Sequence, residues 1–170
     1  MCSSDLVPHH LVLVGGVGWD ADETLQRLNA SMLRPRIHLP GRVSDDELRG
    51  LYQRASAFVY VSLMEGFGLP ILEAMTCGCP VITSNCSSMP EVAGDAALLV
   101  MPEDTGEIAA ALRRVATEPA LATALAAQGR ARAAEFRWEN SARQVADIYR
   151  RVRRQPVKAW QRFRVKERAA

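Results

Sequence analysis

A chain of 170 residues, 48% of them apolar, is long enough for one domain with a real core and too short for two full-sized ones. No stretch approaches the ~20 apolar residues of a membrane span, and Met1 to His10 lacks the basic-then-apolar order of a secretory leader. The formal charge of +2 hides an asymmetry: residues 150–170 carry nine Lys or Arg against the single acid Glu167, on an otherwise acidic body.

That basic tail predicts contact with an anionic surface, membrane headgroups before nucleic acid, against the plainer reading of a solvated terminus. Trp160 and Phe163 among Arg162, Arg164 and Lys166 fit an interfacial helix or base stacking, and the membrane surface is the preferred reading. Of the four cysteines, Cys77 and Cys79 are one residue apart and no histidine follows them, which is not zinc-site spacing. Small packing thiols in a reducing cytosol are expected instead of a disulfide framework.

In chain order, short apolar runs end in Gly, Ser or Pro: Leu11–Val14, Ile37–Leu39, Ala57–Val61, Val81–Thr83 and Ala97–Val100. Such runs read as strands of a parallel sheet buried on both faces. Between them, Ser44 to Glu47 forms a capping box ahead of the stripe Leu48, Leu51, Tyr52 and Ala55. Asp104 and Glu107 repeat the device before Ile108, Ala111, Leu112 and Val115, and a last stripe runs Trp138, Ala142, Val145, Ile148, Val152. Strands alternating with helices predict a doubly wound α/β fold with helices flanking a parallel sheet. The domain is placed at residues 7–153, with residues 1–6 as a non-native start and 154–170 as the basic tail. Cys2-Ser3-Ser4-Asp5-Leu6 reads like the translated end of a common sequencing adapter, so native sequence is expected from near Val7 of a truncated frame.

The most informative stretch is Ser62 to Met75, which follows a strand and opens a helix. It therefore falls at the carboxyl edge of the sheet, where α/β folds bind ligands. Gly66 and Gly68 flank Phe67 and allow unusual backbone geometry and close ligand approach. Pro70 suits a first helical turn, whose free amides favour an anion. Glu73 is expected in that first turn and Glu65 in the loop before it. Carboxylates that only accept hydrogen bonds suit the hydroxyls of a sugar or ribose. The same pair could act as a hydrolytic acid and base, or Glu73 could simply complement the helix dipole.

Glu65 and Glu73 enclose seven residues, and the block from Glu65 to Met75 resembles the E-x7-E motif of family 4 glycosyltransferases. Gly41 to Leu48, Cys77 to Ile82 and Pro90 to Asp95 are similar to further blocks of that family, in order and at similar spacing. The resemblance covers nearly all of residues 11–153 and implies the C-terminal, donor-binding half of a two-domain GT-B fold. It implies that Glu65 contacts hydroxyls of the transferred sugar as the catalytic residue and that Glu73 holds the nucleotide ribose. By the same resemblance, the backbone of Gly66, Phe67, Gly68 and Leu69 meets the diphosphate and sugar, and the main chain near Val43 touches the base. Transfer would retain the anomeric configuration and need no metal or other cofactor. The segment Thr83 to Glu91 is similar to the mannosyltransferase branch, making GDP-mannose the first expected donor and UDP-glucose the second. The acceptor would be a glycan or lipid-linked sugar, and the setting the cytoplasm or the inner face of the membrane.

The chain departs from the family at its start. The family's domain begins one strand earlier, with a Gly-Arg and a nearby Lys that hold the diphosphate; these are absent, as is the N-terminal acceptor domain. In the order 3-2-1-4-5-6 the lost strand is the central first one, so the fragment alone is expected to be poorly stable and inactive. A non-catalytic nucleotide-sugar or partner-binding module is the alternative. Gly16 to Ala21 formally fits a dinucleotide fingerprint, but Arg36 and His38 stand where an acid is expected, so a surface turn is the reading kept.

Overall fold

The computed structural model describes residues 8–18 and 21–154. The expectations for residues 1–6 and for the tail beyond Arg154 lie outside the described residues. Contacts divide the chain into two compact units, Met1–Ala133 and Ala134–Ala170.

In the first unit strands and helices alternate: β1 (Leu11–Val14), α1 (Asp22–Ala30), β2 (Ile37–Gly41), α2 (Asp45–Arg54), β3 (Phe58–Tyr60), α3 (Leu69–Thr76), β4 (Val81–Ser84), α4 (Met89–Ala93), β5 (Ala97–Val100), α5 (Thr105–Thr117) and α6 (Pro119–Ala133). All strand pairing is parallel, in one sheet of β1–β2 and another of β3–β4–β5. The fold is thus α/β with parallel sheets flanked by helices. The expected order without its central member leaves the same pair and triplet.

β4 is the axis of the core. Its register sets Val81 beside Phe58 and Ala97, and Ile82 beside Val59 and Leu98. Because alternate residues face opposite sides of a sheet, neighbouring β4 residues serve two cores. Val81 joins Tyr52, Ile71, Met75, Cys79, Met89 and Val92 under α2, α3 and α4. Ile82 joins Val100, Ala111, Val115 and Leu125 under α5 and α6. Thr83 and Ser84, also buried, donate their hydroxyls to Tyr60 O (2.7 Å) and Ser62 O (2.6 Å), so their burial leaves no polar atom unpaired.

Burial on both faces holds for β4 and fails for β1, whose four residues are 39–47% exposed. β1 has only β2 beside it, and in β2 only Ile37 is buried. An open hollow of about 580 Å³ is lined by Val12 and His38 of this pair together with Val43, Glu47 and Leu51.

The capping box at α2 forms as expected: the Ser44 hydroxyl accepts from Glu47 N, and the Glu47 carboxylate accepts from Ser44 N (2.8 Å). The hydrogen bonds from Ser44 hold the Glu47 carboxyl below its usual range. Ala55, expected on the α2 stripe, instead caps the helix C-terminus. At α5 Asp104 accepts from Gly106 N and Glu107 N, but the Glu107 carboxylate turns to Met101 N (2.7 Å), so the box is not closed on itself.

The second unit is described by α7 (Trp138–Arg154). Its expected stripe exposes Trp138, Val145 and Ile148. No helix among the described residues is long and apolar enough to cross a membrane.

Candidate functional site

The loop from Val61 to Gly68 leaves the carboxyl end of β3 and runs into α3, so the sequence places it where the sheet opens. Gly68 is the N-cap of α3 at φ +106°, a conformation that side chains resist. A Cβ there would also stand 3.2 Å from Ile71 Cδ1. Gly66 behaves differently: its φ is not positive, and a Cβ would meet nothing within 4 Å. Its smallness leaves open space beside the chain, whereas Gly68 makes the turn. The expectation of special backbone geometry thus holds for one of the two glycines.

Pro70 lies in the first turn of α3, where a missing N–H costs no helical bond. Glu73 does not lie there. The helix starts at Leu69, so Glu73 is its fifth residue and stands in the second turn, and α3 has no acid in its first. Phe67 and Leu69 are 45% and 54% exposed, and Gly66 is exposed beside them. Val43 is half-buried between the Gly41 turn (φ +74°) and the Ser44 cap, and is the one expected site residue on the hollow beside β1–β2.

Two tyrosines stand beside the glutamates. Tyr52 of α2, 7% exposed, donates to Glu73 Oε2 at 3.3 Å. Burial first, then the charge of Glu73, push its phenol up from 10.0. Tyr60, the last residue of β3, has its phenol raised by burial first, then by the nearby Glu65 carboxylate, with the charge of Glu73 adding to it. Phe58 joins the pair, edge-on to Tyr52 (5.1 Å between centroids) and stacked on Tyr60 (5.8 Å). Glu73 is thus bonded to this aromatic column, and the charge of Glu65 is felt at its Tyr60 end. Ser87 and Ser88, from the segment between β4 and α4, hydrogen-bond the Glu65 main chain.

Tyr60 escaped sequence reasoning because it reads as one more apolar strand residue. Tyr52 was visible only as part of a helical stripe, and the two serines only as marks of a branch. Among the described residues, no group of three or more His, Cys, Asp or Glu is placed to hold a metal ion. The arrangement is chemically a pair of acceptors, half-buried Glu65 and exposed Glu73, beside a glycine-capped helix start, with the Tyr52 phenol donating to Glu73. It suits a polyhydroxylated ligand with an anionic part.

Several known proteins are similar to this chain. Over 140 residues the chain is 41% identical to O-antigen chain mannosyltransferase B of Escherichia coli, covering 82% of this chain and 37% of that one. Over 120 residues it is 38% identical to MMP alpha-(1->4)-mannosyltransferase of Mycolicibacterium hassiacum, covering 68% and 29%. Among solved structures, sucrose-phosphate synthase from Thermosynechococcus elongatus superposes with a TM-score of 0.69 at 34% identity, over 84% of this chain and 38% of that one. The chain thus spans between 29% and 38% of the length of these proteins. Residues 4–132 match the family described as "Glycosyl transferases group 1", and the chain belongs to that family.

Proposed function

We propose that this chain is the donor-binding half of a GT-B, family 4 glycosyltransferase that moves a sugar from a nucleotide diphosphate donor to a hydroxyl acceptor with retention. Mannose from GDP-mannose is the first choice, because the similar mannosyltransferases cover most of the chain. The observation that carries the reading is the pairing of Glu65 and Glu73 beside the Gly68-capped start of α3.

In this reading Glu65 accepts hydrogen bonds from the sugar hydroxyls and Glu73, oriented by Tyr52, accepts from the ribose. The diphosphate meets amides from Gly66 to Leu69 at the positive end of α3, and the base lies along the main chain at Val43. The acceptor oxygen bonds to the anomeric carbon on the face from which the diphosphate leaves, the bond to the diphosphate oxygen breaks, and that oxygen takes the acceptor's proton. The amides and helix dipole stabilise the leaving charge without a metal, which is electrostatic catalysis. The acceptor is a glycan or lipid-linked sugar. A further strand with its Gly-Arg and Lys, and an acceptor domain, complete the site in a longer polypeptide. The pair-and-triplet arrangement of the strands supports that view. The basic residues at the end of α7 and beyond suit the inner face of an anionic membrane.

The test is a transfer assay with GDP-mannose and UDP-glucose, with and without EDTA, reading the product's anomeric configuration by NMR. Transfer that survives EDTA, keeps the configuration and falls at least a hundredfold in Glu65→Gln supports the reading. Inversion, or loss of activity in EDTA, sinks it. Binding without turnover in the longest polypeptide favours a non-catalytic nucleotide-sugar module.

A further inference from the structure

The backbone ladder between β3 and β4 ends at Tyr60 and Thr83, yet the two segments stay joined beyond it. Side chains at and just beyond the end of β4 donate to the carbonyls of Tyr60, at the end of β3, and of the loop that follows it. Thr83 Oγ1 reaches Tyr60 O (2.7 Å), Ser84 Oγ reaches Ser62 O (2.6 Å), and Cys86 Sγ reaches Leu63 O (3.4 Å). At the end of this series Ser87 Oγ donates to Glu65 O (3.0 Å) and accepts from Glu65 N (3.1 Å), while Ser88 Oγ also donates to Glu65 O (3.1 Å).

Fixing both the N–H and the C=O of one residue fixes the peptide planes on either side of its Cα. The direction of its Cα–Cβ bond is then set. A carboxylate on a loop is otherwise free to swing, and loops carry little intrinsic order. Ser87 makes these bonds from φ +57°, the one positive φ at a non-glycine residue among the described residues. Such a backbone is strained and persists where surrounding contacts determine it.

We infer that Ser87, assisted by Ser88, is a positioning residue that aims Glu65 at the transferred sugar by clamping its main chain, and so governs how much the sugar adds to donor affinity. This rests on the reading that Glu65 faces the sugar. Neither serine touches the reacting atoms in this scheme; both act through Glu65.

The test uses the full chain and titration calorimetry with GDP and GDP-mannose, and with UDP and UDP-glucose, taking whichever pair binds. The readout is the ratio of the nucleotide Kd to the nucleotide-sugar Kd, which a general loss of structure would leave unchanged because both ligands would suffer equally. Ser87→Gly accepts the positive φ and removes the hydroxymethyl group with its hydrogen bonds, so a loss cannot come from backbone strain. The expected result is a ratio lowered about fivefold or more in Ser87→Gly, and less in Ser88→Ala, with nucleotide affinity retained. Glu65→Gln should lower the same ratio. If Glu65→Gln lowers it and Ser87→Gly keeps the original value, the clamp is overturned while the site reading stands. If Glu65→Gln leaves the ratio untouched, Glu65 does not address the sugar and both fall.

Discussion

Tyr52 shows how a core residue and a site residue become one. Its ring packs on Phe58 while its hydroxyl reaches Glu73, and burial and that charge raise its pKa above the ordinary 10.0. A phenol with a folded pKa above its unfolded one adds stability that is intact below about pH 10 and lost as pH rises beyond it. Urea midpoints should therefore decline above pH 10, and Tyr52→Phe should flatten much of that decline. An equal decline in the variant would show that Tyr52 is not its source. Cys79 offers a second residue-level case: 2% exposed, its thiol is pushed up to about 11, chiefly by burial. A thiol is reactive only as the accessible thiolate, so iodoacetamide at pH 8 should label native Cys79 far more slowly than half-buried Cys77 and Cys86. Mass spectrometry of the labelled peptides reads the order directly. The packing role expected of the cysteines holds for Cys77, Cys79 and Cys86, which lie in or against the core, while Cys2 lies outside the described residues. The Tyr52 donor was not legible, because a phenol's partner lies across the fold and leaves no periodic trace.

Elements with chemical punctuation could be read from the chain; those without it could not. Ser44 and Glu47 announced the start of α2, and Gly68 with Pro70 announced α3. α6 gave no such signal: its run of alanines and small residues has no sharp apolar stripe, and it packs through Leu125 and through Gly129 set against Met75. The position of Glu73 was misjudged by one turn because the start of α3 is fixed by the Gly68 backbone, not by an acidic cap. That glycine carries a prediction. Gly68→Ala forces a side chain into φ +106° and against Ile71, and should cost about 1–3 kcal/mol of stability. Gly66→Ala, with open space around its Cβ, should cost far less. Chemical denaturation of the two variants side by side checks the contrast, and equal losses would refute it.

At the scale of the molecule, the alternation of strands and helices gave the fold class, but not how unequally the strands are covered. Periodicity records that a run is apolar; the neighbours that bury it come from elsewhere in the chain. β1, exposed at every residue, should exchange its amide hydrogens orders of magnitude faster than β4, whose four residues are all buried. Hydrogen-exchange mass spectrometry resolves the two peptides, and equal protection would contradict this arrangement. The central place of β4 has one more consequence. Val81 and Ile82 are adjacent in the chain yet belong to opposite cores. Neither helical layer can detach without uncovering the strand that the other needs. The layers of α3–α4 and α5–α6 are thereby bound to melt together, as one cooperative unit.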